Sequence, residues 1–254
     1  MLASEVPWTQ LNPARGDQSP RAGTLWGDRN GTVATGFLFS PVDGFESPPH
    51  IHNVSYRGVV IRGEVHNDHP VAPEMWMPAR SYWTQPKGEV HITAARGSNI
   101  LAYIEIDQGP YLVMPPEEQF SPGEHAINVH ESNLVWVAPG SRSAPDGVEI
   151  AHLWEDRGTG GNRGMLVRVP AGVPAAIEGT RTPLRIVVIQ GEPLYLHAAG
   201  ADVSGEPVLL SPGSFASSTG GVLHQFDPGP QEDLVLYVRT ADSLKLTGGA
   251  QRTD

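Results

Sequence analysis

The chain has 254 residues, of which 29 are glycine and 24 are proline, and it contains no cysteine. This density of turn-forming residues leaves little room for long helices and favours a β protein of many short strands. The absence of cysteine excludes disulfides, thiolate metal sites and thiol nucleophiles. A formal net charge of −11 without any basic run argues against a nucleic-acid partner, and no apolar run approaches the ~18 residues of a membrane span.

The predicted elements are strands separated by segments rich in proline and glycine. Residues 1–20 contain three prolines and are expected to form an arm on the surface, and residues 115–124 are expected to link two domains. The predicted strands share β-branched or apolar runs: Val59–Ile61, Ile100–Ile106, Ile127–Val137, Arg185–Ile189 and Leu234–Arg239. No helical period persists beyond two turns, so the sequence predicts an all-β chain. The N-terminal residues lack the charged and apolar regions of a secretory signal, which predicts a cytoplasmic protein.

An internal repeat decides the domain organisation. Two pairs of segments match at an offset of 128: Leu25-Trp26 with Leu153-Trp154, and residues 57–64 with 185–192. Further along the chain, Gly88 matches Gly221 and His91 matches His224 at an offset of 133. A register held over tens of residues is hard to obtain by chance. The sequence therefore predicts two tandem domains, residues 1–114 with the N-terminal arm and residues 115–254 with the linker.

A pair of arginines recurs at matched positions of the two copies. Arg57 and Arg185 each begin a β-branched run that ends seven residues later in Glu64 and Glu192. Because the arginine is present in both copies, we expect a structural role, such as an ion pair with that glutamate.

Three histidines of the first copy are spaced so that they can bind a metal ion together. His50 and His52 are two residues apart in a predicted strand, so their side chains face the same side. His91 lies three residues after Gly88, where a Pro-x-Gly turn brings a later strand back toward them. Three neutral imidazoles that converge inside a β-barrel form a ligand set for a divalent cation, with positions left open for water, substrate or dioxygen.

The spacing of these residues resembles the two motifs of the cupin superfamily, G-x5-H-x-H-x3-E-x6-G and G-x5-P-x-G-x2-H. The first motif matches residues 44–63, the second matches residues 80–91, and the resemblance extends over 25–107 and 153–239. Residues 48–63 and 81–95 are similar to the ChrR-like group of RmlC-like cupins. The resemblance implies two tandem cupin barrels of the double-stranded β-helix, or jelly-roll, type.

Two positions depart from the cupin motifs. Tyr56 stands where the motif has a glutamate ligand, and Arg80 replaces the first glycine of the second motif. Without the carboxylate, the resemblance points to three-histidine iron oxygenases such as acetylacetone dioxygenase. It implies one divalent metal per chain, with iron(II) favoured and zinc, manganese or nickel as alternatives. Tyr56 is the candidate catalytic residue as a proton donor, although a hydrogen-bonding, weakly ligating or packing role stays open.

The second copy has lost most of this ligand set. Its corresponding positions are Glu178, Thr180, Leu184 and His224. We expect a degenerate barrel with a structural role, and the sequence leaves open whether Glu178 and His224 keep a weak metal site.

Four further side chains of the first copy are candidates for binding a substrate. Trp83, Gln85 and Thr93 flank the second motif, and His66 follows the turn at Gly63. Aromatic walls around a metal suit a small organic substrate. The alternative for each of the four is that it packs in the barrel.

These residues together predict a metal-dependent cupin enzyme. We expect a non-haem iron(II) dioxygenase that acts on a small enolisable or aromatic oxygen-bearing compound. Two alternatives stay open: a non-redox metal cupin acting as a hydrolase, isomerase or lyase, and a ligand-sensing ChrR-like cupin without turnover. The predicted partners are a small-molecule substrate and a second copy in a homodimer, with no nucleic acid and no membrane.

Overall fold

The computed structural model describes residues 1–156, 161–179, 182–199 and 202–249. The chain divides into two compact units, a first barrel of Glu5–Leu134 and a second barrel of Met1–Ser4 with Val135–Asp254. The helical turns are short and of the 3-10 type: Ala3–Glu5, Pro13–Gln18, Pro116–Glu118 and Glu131–Asn133. Strands dominate the rest, so the prediction of an all-β fold is confirmed. Within the described ranges, no helix has the length and apolarity that crossing a membrane requires.

The first barrel consists of one large sheet and one small strand pair. Its strands are β1 (Trp8–Gln10), β2 (Arg21–Trp26), β3 (Thr35–Ser40), β4 (Phe45–Glu46), β5 (Ile51–His52), β6 (Tyr56–Asp68), β7 (Tyr82–Gln85), β8 (Ile92–Ile106), β9 (Val113–Met114) and β10 (Ile127–Val129). The large sheet has the order β1-β2-β3-β8-β6-β7-β10, with β4 also paired to β8, while β5 pairs with β9. Buried Phe37, Val60 and Ile104 belong to the apolar core of this barrel.

Residues 115–134 belong to the first barrel. The sequence places the division of the chain at residue 115, whereas Ile127–Val129 adds an antiparallel strand to Tyr82–Gln85. The compact unit accordingly extends to Leu134. A strand that the sequence assigns to the second domain thus extends the sheet that carries the second cupin-like motif.

The second barrel is a sandwich of two five-stranded sheets. Its described strands are β11 (Glu149–Glu155), β12 (Arg163–Val169), β13 (Ala175–Glu178), β14 (Leu184–Gln190), β15 (Leu194–Ala199), β16 (Asp202–Leu209), β17 (Phe215–Ser218), β18 (Val222–Asp227), β19 (Leu234–Thr240) and β20 (Lys245–Gly248). The sheet orders are β11-β12-β19-β14-β17 and β16-β15-β18-β13-β20. Val167 and Leu236 of one sheet and Ile177 of the other are buried in a shared core.

The repeated tryptophan has the same role in each barrel. In the first, Trp26 Nε1 donates a hydrogen bond of 3.0 Å to the hydroxyl of buried Tyr103. In the second, Trp154 Nε1 donates one of 3.0 Å to the hydroxyl of buried Tyr237. Because Gly164 has no Cβ, the Trp154 ring can lie directly against its Cα. The repeat therefore preserves a packing unit that joins neighbouring strands.

The predicted ion pair between Arg57 and Glu64 is wrong. Arg57 instead lies opposite Glu105 in the antiparallel pairing of β6 with β8, and its guanidinium approaches that carboxylate at 3.7 Å. Asp107 pairs with the same guanidinium at 2.7 Å. Glu64 pairs with Arg96 at 2.5 Å. The ion-pair partner of Arg57 is thus a residue of the neighbouring strand, and the sequence of one strand does not reveal which residue lies opposite it.

We predict that Gly164→Ala destabilises the second barrel by roughly 1–3 kcal/mol, because a Cβ at this position overlaps the indole of Trp154. Thermal unfolding followed by tryptophan fluorescence measures the effect. Gly229→Ala is the matched control, since a Cβ there meets no atom within 4 Å. Equal melting temperatures for the two variants would contradict this account of the repeat.

Candidate metal centre

His50, His52 and His91 converge in the interior of the first barrel. His50 and His91 form an antiparallel bridge with two backbone hydrogen bonds of 3.0 Å, so their side chains share one face. His52 follows His50 by two residues and shares that face. One ring nitrogen from each histidine lies within 4.8 Å of the other two, and all three residues are buried. The group can hold a metal ion.

Backbone carbonyls orient all three imidazole rings. The Nδ1 atom of His50 lies 2.9 Å from the carbonyl oxygen of Pro48. The Nδ1 atom of His52 lies 2.8 Å from the carbonyl oxygen of Leu112. The Nδ1 atom of His91 lies 3.1 Å from the carbonyl oxygen of Glu89. A carbonyl only accepts, so each Nδ1 carries the proton and each Nε2 keeps the lone pair that a metal requires.

Two tyrosine hydroxyls lie beside these Nε2 atoms. The Tyr56 hydroxyl is 3.3 Å from Nε2 of His91, and the Tyr111 hydroxyl is 3.1 Å from Nε2 of His52. The ring of Tyr111 also stacks on that of His52, with centroids 4.3 Å apart and an interplanar angle of 19°. The site therefore presents three imidazoles and two phenols, and the histidine cluster includes no carboxylate.

Burial keeps every member of this group neutral at ordinary pH. It lowers the pKa of His91 to about 3, and the nearby His50 adds to the shift. Burial likewise lowers the pKa of His50 and brings the pKa of His52 well below its usual value. For Tyr56 and Tyr111, burial raises the pKa. Neutral imidazoles are the form that binds metal, and protonated phenols are hydrogen-bond donors.

A cavity of about 560 Å³ opens onto His50 and His52. Its walls are mainly apolar and aromatic, and they include Phe39, Phe45, Trp83 and Ile104. The indole nitrogen of Trp83 is buried and makes no hydrogen bond within the described structure. The cavity thus combines a mainly apolar enclosure with a small number of polar groups, as small-molecule sites do.

Comparison with protein families matches residues 1–247 to the model of a domain of unknown function (DUF4437). The chain belongs to the DUF4437 family. The match spans both barrels, so the family is defined by the tandem arrangement. A comparison of this DUF4437 chain with curated proteins gives no match.

Solved structures show that the DUF4437 chain has the cupin fold. A "putative dioxygenase" from Nostoc punctiforme PCC 73102 matches with a TM-score of 0.69 and 14% identity over 99% of this chain and 86% of that one. A 7S globulin from Momordica charantia matches with a TM-score of 0.63 and 13% identity over 97% and 85%. An oxalate decarboxylase from Lactobacillus farciminis matches with a TM-score of 0.62 and 9% identity over 98% and 87%. The prediction of two tandem cupin barrels is confirmed.

The structure separates the predicted substrate-binding residues into two groups. Trp83 and Thr93 line the cavity, as does Tyr56. Gln85 is absent from the lining, because its side chain accepts a hydrogen bond of 2.9 Å from buried Asn67 and donates one of 3.2 Å to the carbonyl of Glu89. Gln85 therefore does not face the cavity and instead holds the side chain of Asn67 in place.

The predicted place of His66 in the pocket disagrees with the structure. Its neighbour Asn67 accepts a hydrogen bond of 2.9 Å from the Tyr56 hydroxyl and so faces the site. Consecutive residues of a strand point to opposite faces, and His66 accordingly packs beside Met75 and Trp76. Register shifts in β6 between Val60 and Glu64 hide this alternation from a simple count of residues.

The second barrel does not repeat the cluster in its described residues. Glu178 forms an ion pair of 2.6 Å with Lys245. Both ring nitrogens of His224 are engaged, with the Tyr195 hydroxyl 2.7 Å from Nδ1 and the Ser218 hydroxyl 2.9 Å from Nε2. In the pairing of β13 with β18, His224 lies directly opposite Ile177, so these two side chains share one face of the sheet. Glu178 follows Ile177 in the strand and therefore faces the other side. Leu184 lies in the apolar core, and Thr180 lies outside the described residues.

Tyr111 and Asn67 are site residues that the motifs do not reveal. Tyr111 lies in the segment after β8, outside both cupin motifs, and reaches His52 through a loop whose path depends on tertiary structure. Asn67 lies in the polar run His66-Asn67-Asp68 at the end of β6. That run signals a buried polar role, but it does not show which residue faces inward.

We predict that the metal-free first barrel loses stability as the pH falls below about 6.5, the ordinary pKa of histidine in an unfolded chain. Between that pH and the pKa of about 3 for His91, the unfolded chain binds more protons than the folded one. Each buried histidine then contributes a loss of about 1.4 kcal/mol per pH unit. Melting temperatures at pH 7.5 and 5.5 measure the slope.

Two histidine variants test whether the cluster causes this pH dependence. His91→Gln should reduce the loss between the two pH values, whereas replacement of the exposed His69 by Gln should leave it unchanged. An identical slope for wild type and His91→Gln would show that the cluster is not the source of the pH dependence.

Proposed function

We propose that this cupin is a metal-dependent enzyme, a non-haem iron(II) dioxygenase acting on a small enolisable or aromatic oxygen-bearing compound. The observation that carries the proposal is the convergence of three oriented imidazoles, without a carboxylate, beside an apolar cavity. The description of the Nostoc punctiforme structure as a dioxygenase supports the same class of reaction. Membership of the ChrR-like group, a homodimer and a cytoplasmic location stay predictions of the sequence.

The donor set fits one divalent ion. His50, His52 and His91 would hold it through Nε2, since each Nδ1 is already bonded to a carbonyl oxygen. Imidazole suits iron, and it also accepts zinc and nickel, while manganese favours oxygen ligands. Bound iron(II) would supply Lewis-acid polarisation of substrate oxygens and the electrons that activate dioxygen.

The protein binds and orients the substrate through the walls of the cavity. Phe39, Phe45 and Ile104 provide apolar surface that excludes water from the reacting end. The buried indole N–H of Trp83 lies close to the Tyr56 hydroxyl, and at this wall it can donate a hydrogen bond to a substrate oxygen. Such a donor, buried in a dry site, acts more strongly than it would in water.

Tyr56 is the group best placed to deliver a proton. Burial raises its pKa, so the hydroxyl stays protonated, and it lies 3.3 Å from Nε2 of His91. Asn67 accepts its hydrogen bond at 2.9 Å and also accepts one of 2.7 Å from Thr93. The amide of Asn67 is itself held by Gln85 at 2.9 Å. This network positions the phenol at the histidine end of the cavity.

A non-redox metal enzyme is the second candidate. The likeness to oxalate decarboxylases favours it, because the loss of carbon dioxide from oxalate is a lyase reaction without net uptake of oxygen, and the Bacillus subtilis protein is described with Mn(II) centres. The two candidates share the histidine site and differ in the need for dioxygen. Oxygen consumption therefore discriminates between them.

We predict that protein purified without oxygen contains about one iron per chain, with His50, His52 and His91 as ligands. Substitution His50→Ala should abolish metal binding, since two imidazoles leave an incomplete set. His66→Gln is the matched control, because this buried histidine faces the other side of its strand. Elemental analysis measures the metal, and unchanged content in His50→Ala would refute the site.

Oxygen uptake with β-diketones and hydroxylated aromatics then tests the reaction.

We predict that Tyr56→Phe keeps the metal and lowers turnover by about 10²-fold or more, the range for loss of a general acid or base. The ring still fills its place, and only the hydroxyl between Asn67 and His91 is lost. Oxygen uptake at fixed metal content measures the effect. Tyr195→Phe, which removes a buried hydroxyl in the second barrel, controls for general destabilisation. Full activity in Tyr56→Phe would exclude a chemical role for this residue.

A further inference from the structure

One cationic side chain lies on the wall of the metal-site cavity. Arg15 lines the cavity together with its neighbours Leu11 and Asn12 from the N-terminal segment. Among the described lining residues, it alone carries a permanent charge, and none of them is a carboxylate. The three buried imidazoles of the histidine cluster are neutral, so they neither neutralise nor duplicate this charge.

Local structure holds Arg15 at this place. Asn12 caps the turn Pro13–Gln18, with its side-chain oxygen accepting a hydrogen bond of 3.1 Å from the backbone N–H of Ala14. The backbone N–H of Asn12 donates one of 2.9 Å to the hydroxyl of Ser19. The expected surface arm is thus a tied segment that contributes to the wall of the cavity.

The guanidinium of Arg15 keeps most of its hydrogen-bonding capacity. It lies over the ring of Phe45, with 5.1 Å between its central carbon and the ring centroid. Nη2 donates one hydrogen bond of 3.3 Å to the carbonyl of Glu46. A guanidinium has five N–H donors, and no carboxylate of the described residues pairs with this one. Stacking on Phe45 restricts the side chain and leaves donors available to a ligand.

We propose that the substrate is a small organic anion whose carboxylate pairs with Arg15 while its oxygen-bearing end faces the three histidines. This inference rests on the proposed function, since it assigns a substrate class to the same cavity. The apolar walls fit the carbon body between the two polar ends, and the planar guanidinium matches a carboxylate in a paired hydrogen-bonding geometry. Without an anion, the cation in the cavity wall has no charged partner.

Two probes, one with a charged and one with a neutral end, test this assignment. 4,6-Dioxoheptanoate is a β-diketone with a terminal carboxylate, and its methyl ester is the neutral counterpart. Both present the same diketone to the histidine end, so their difference isolates the carboxylate. Binding to zinc-loaded and to metal-free full-length protein is measured by calorimetry, and bound zinc is counted in the same preparation.

We expect the acid to bind roughly five- to tenfold more tightly than the ester, a modest preference because Arg15 is exposed to solvent. Arg15→Gln should remove the preference, and Arg15→Lys should retain part of it. Arg21→Gln is the matched control, since Arg21 is also exposed and stacks on Trp8 but does not line the cavity. Added salt should weaken the preference in wild type and have no effect on Arg15→Gln.

Equal affinity for acid and ester in both metal states, including no binding of either, would overturn the inference. So would a preference that survives in Arg15→Gln, because the metal would then be its source. Absence of bound zinc would contradict the proposed function separately, while the metal-free measurement still decides the role of Arg15.

Discussion

The candidate metal centre depends on three hydrogen bonds between imidazole Nδ1 atoms and backbone carbonyls. Each bond fixes the tautomer, so His50, His52 and His91 all direct an Nε2 lone pair to the same point. The backbone bridge between His50 and His91 places those carbonyls, and the pairing of β5 with β9 brings the carbonyl of Leu112 to His52. The barrel therefore orders its ligands before any metal arrives, and desolvation keeps them neutral.

A buried amide network occupies the region where the related motif has a carboxylate. Tyr56 donates to Asn67, and Asn67 donates to Gln85, so the charge of a glutamate is replaced by a chain of neutral dipoles. A divalent ion held by three neutral imidazoles would keep its full charge, which strengthens its attraction for anionic oxygens. Arg15 adds positive charge on the cavity wall. The charge of a bound ion and that of Arg15 would both favour a ligand with negatively charged oxygens, although the histidines and Arg15 lie in different parts of the sequence.

The sequence predicts the histidine site better than its surroundings. His50 and His52 follow from the two-residue period of a strand, and His91 follows from the turn at Gly88, because these are local rules of backbone geometry. Tyr111 reaches the site from a loop, and the path of a loop is decided by tertiary contacts. His66 is expected in the pocket because it follows Gly63, but β6 continues through Gly63 with register shifts, and these leave Asn67 facing the site instead.

The two barrels show that conserving a fold and conserving a site are separate matters. The indole-to-phenol hydrogen bond that packs Trp26 in the first barrel is present at Trp154 in the second. At the position of the third ligand, His224 is still buried, but hydroxyl groups engage both of its nitrogens. Without a second and third imidazole, a buried histidine is stabilised by hydrogen bonds instead of by a metal. Packing constraints thus account for the repeat, whereas the three-histidine set is found, among the described residues, in the first barrel.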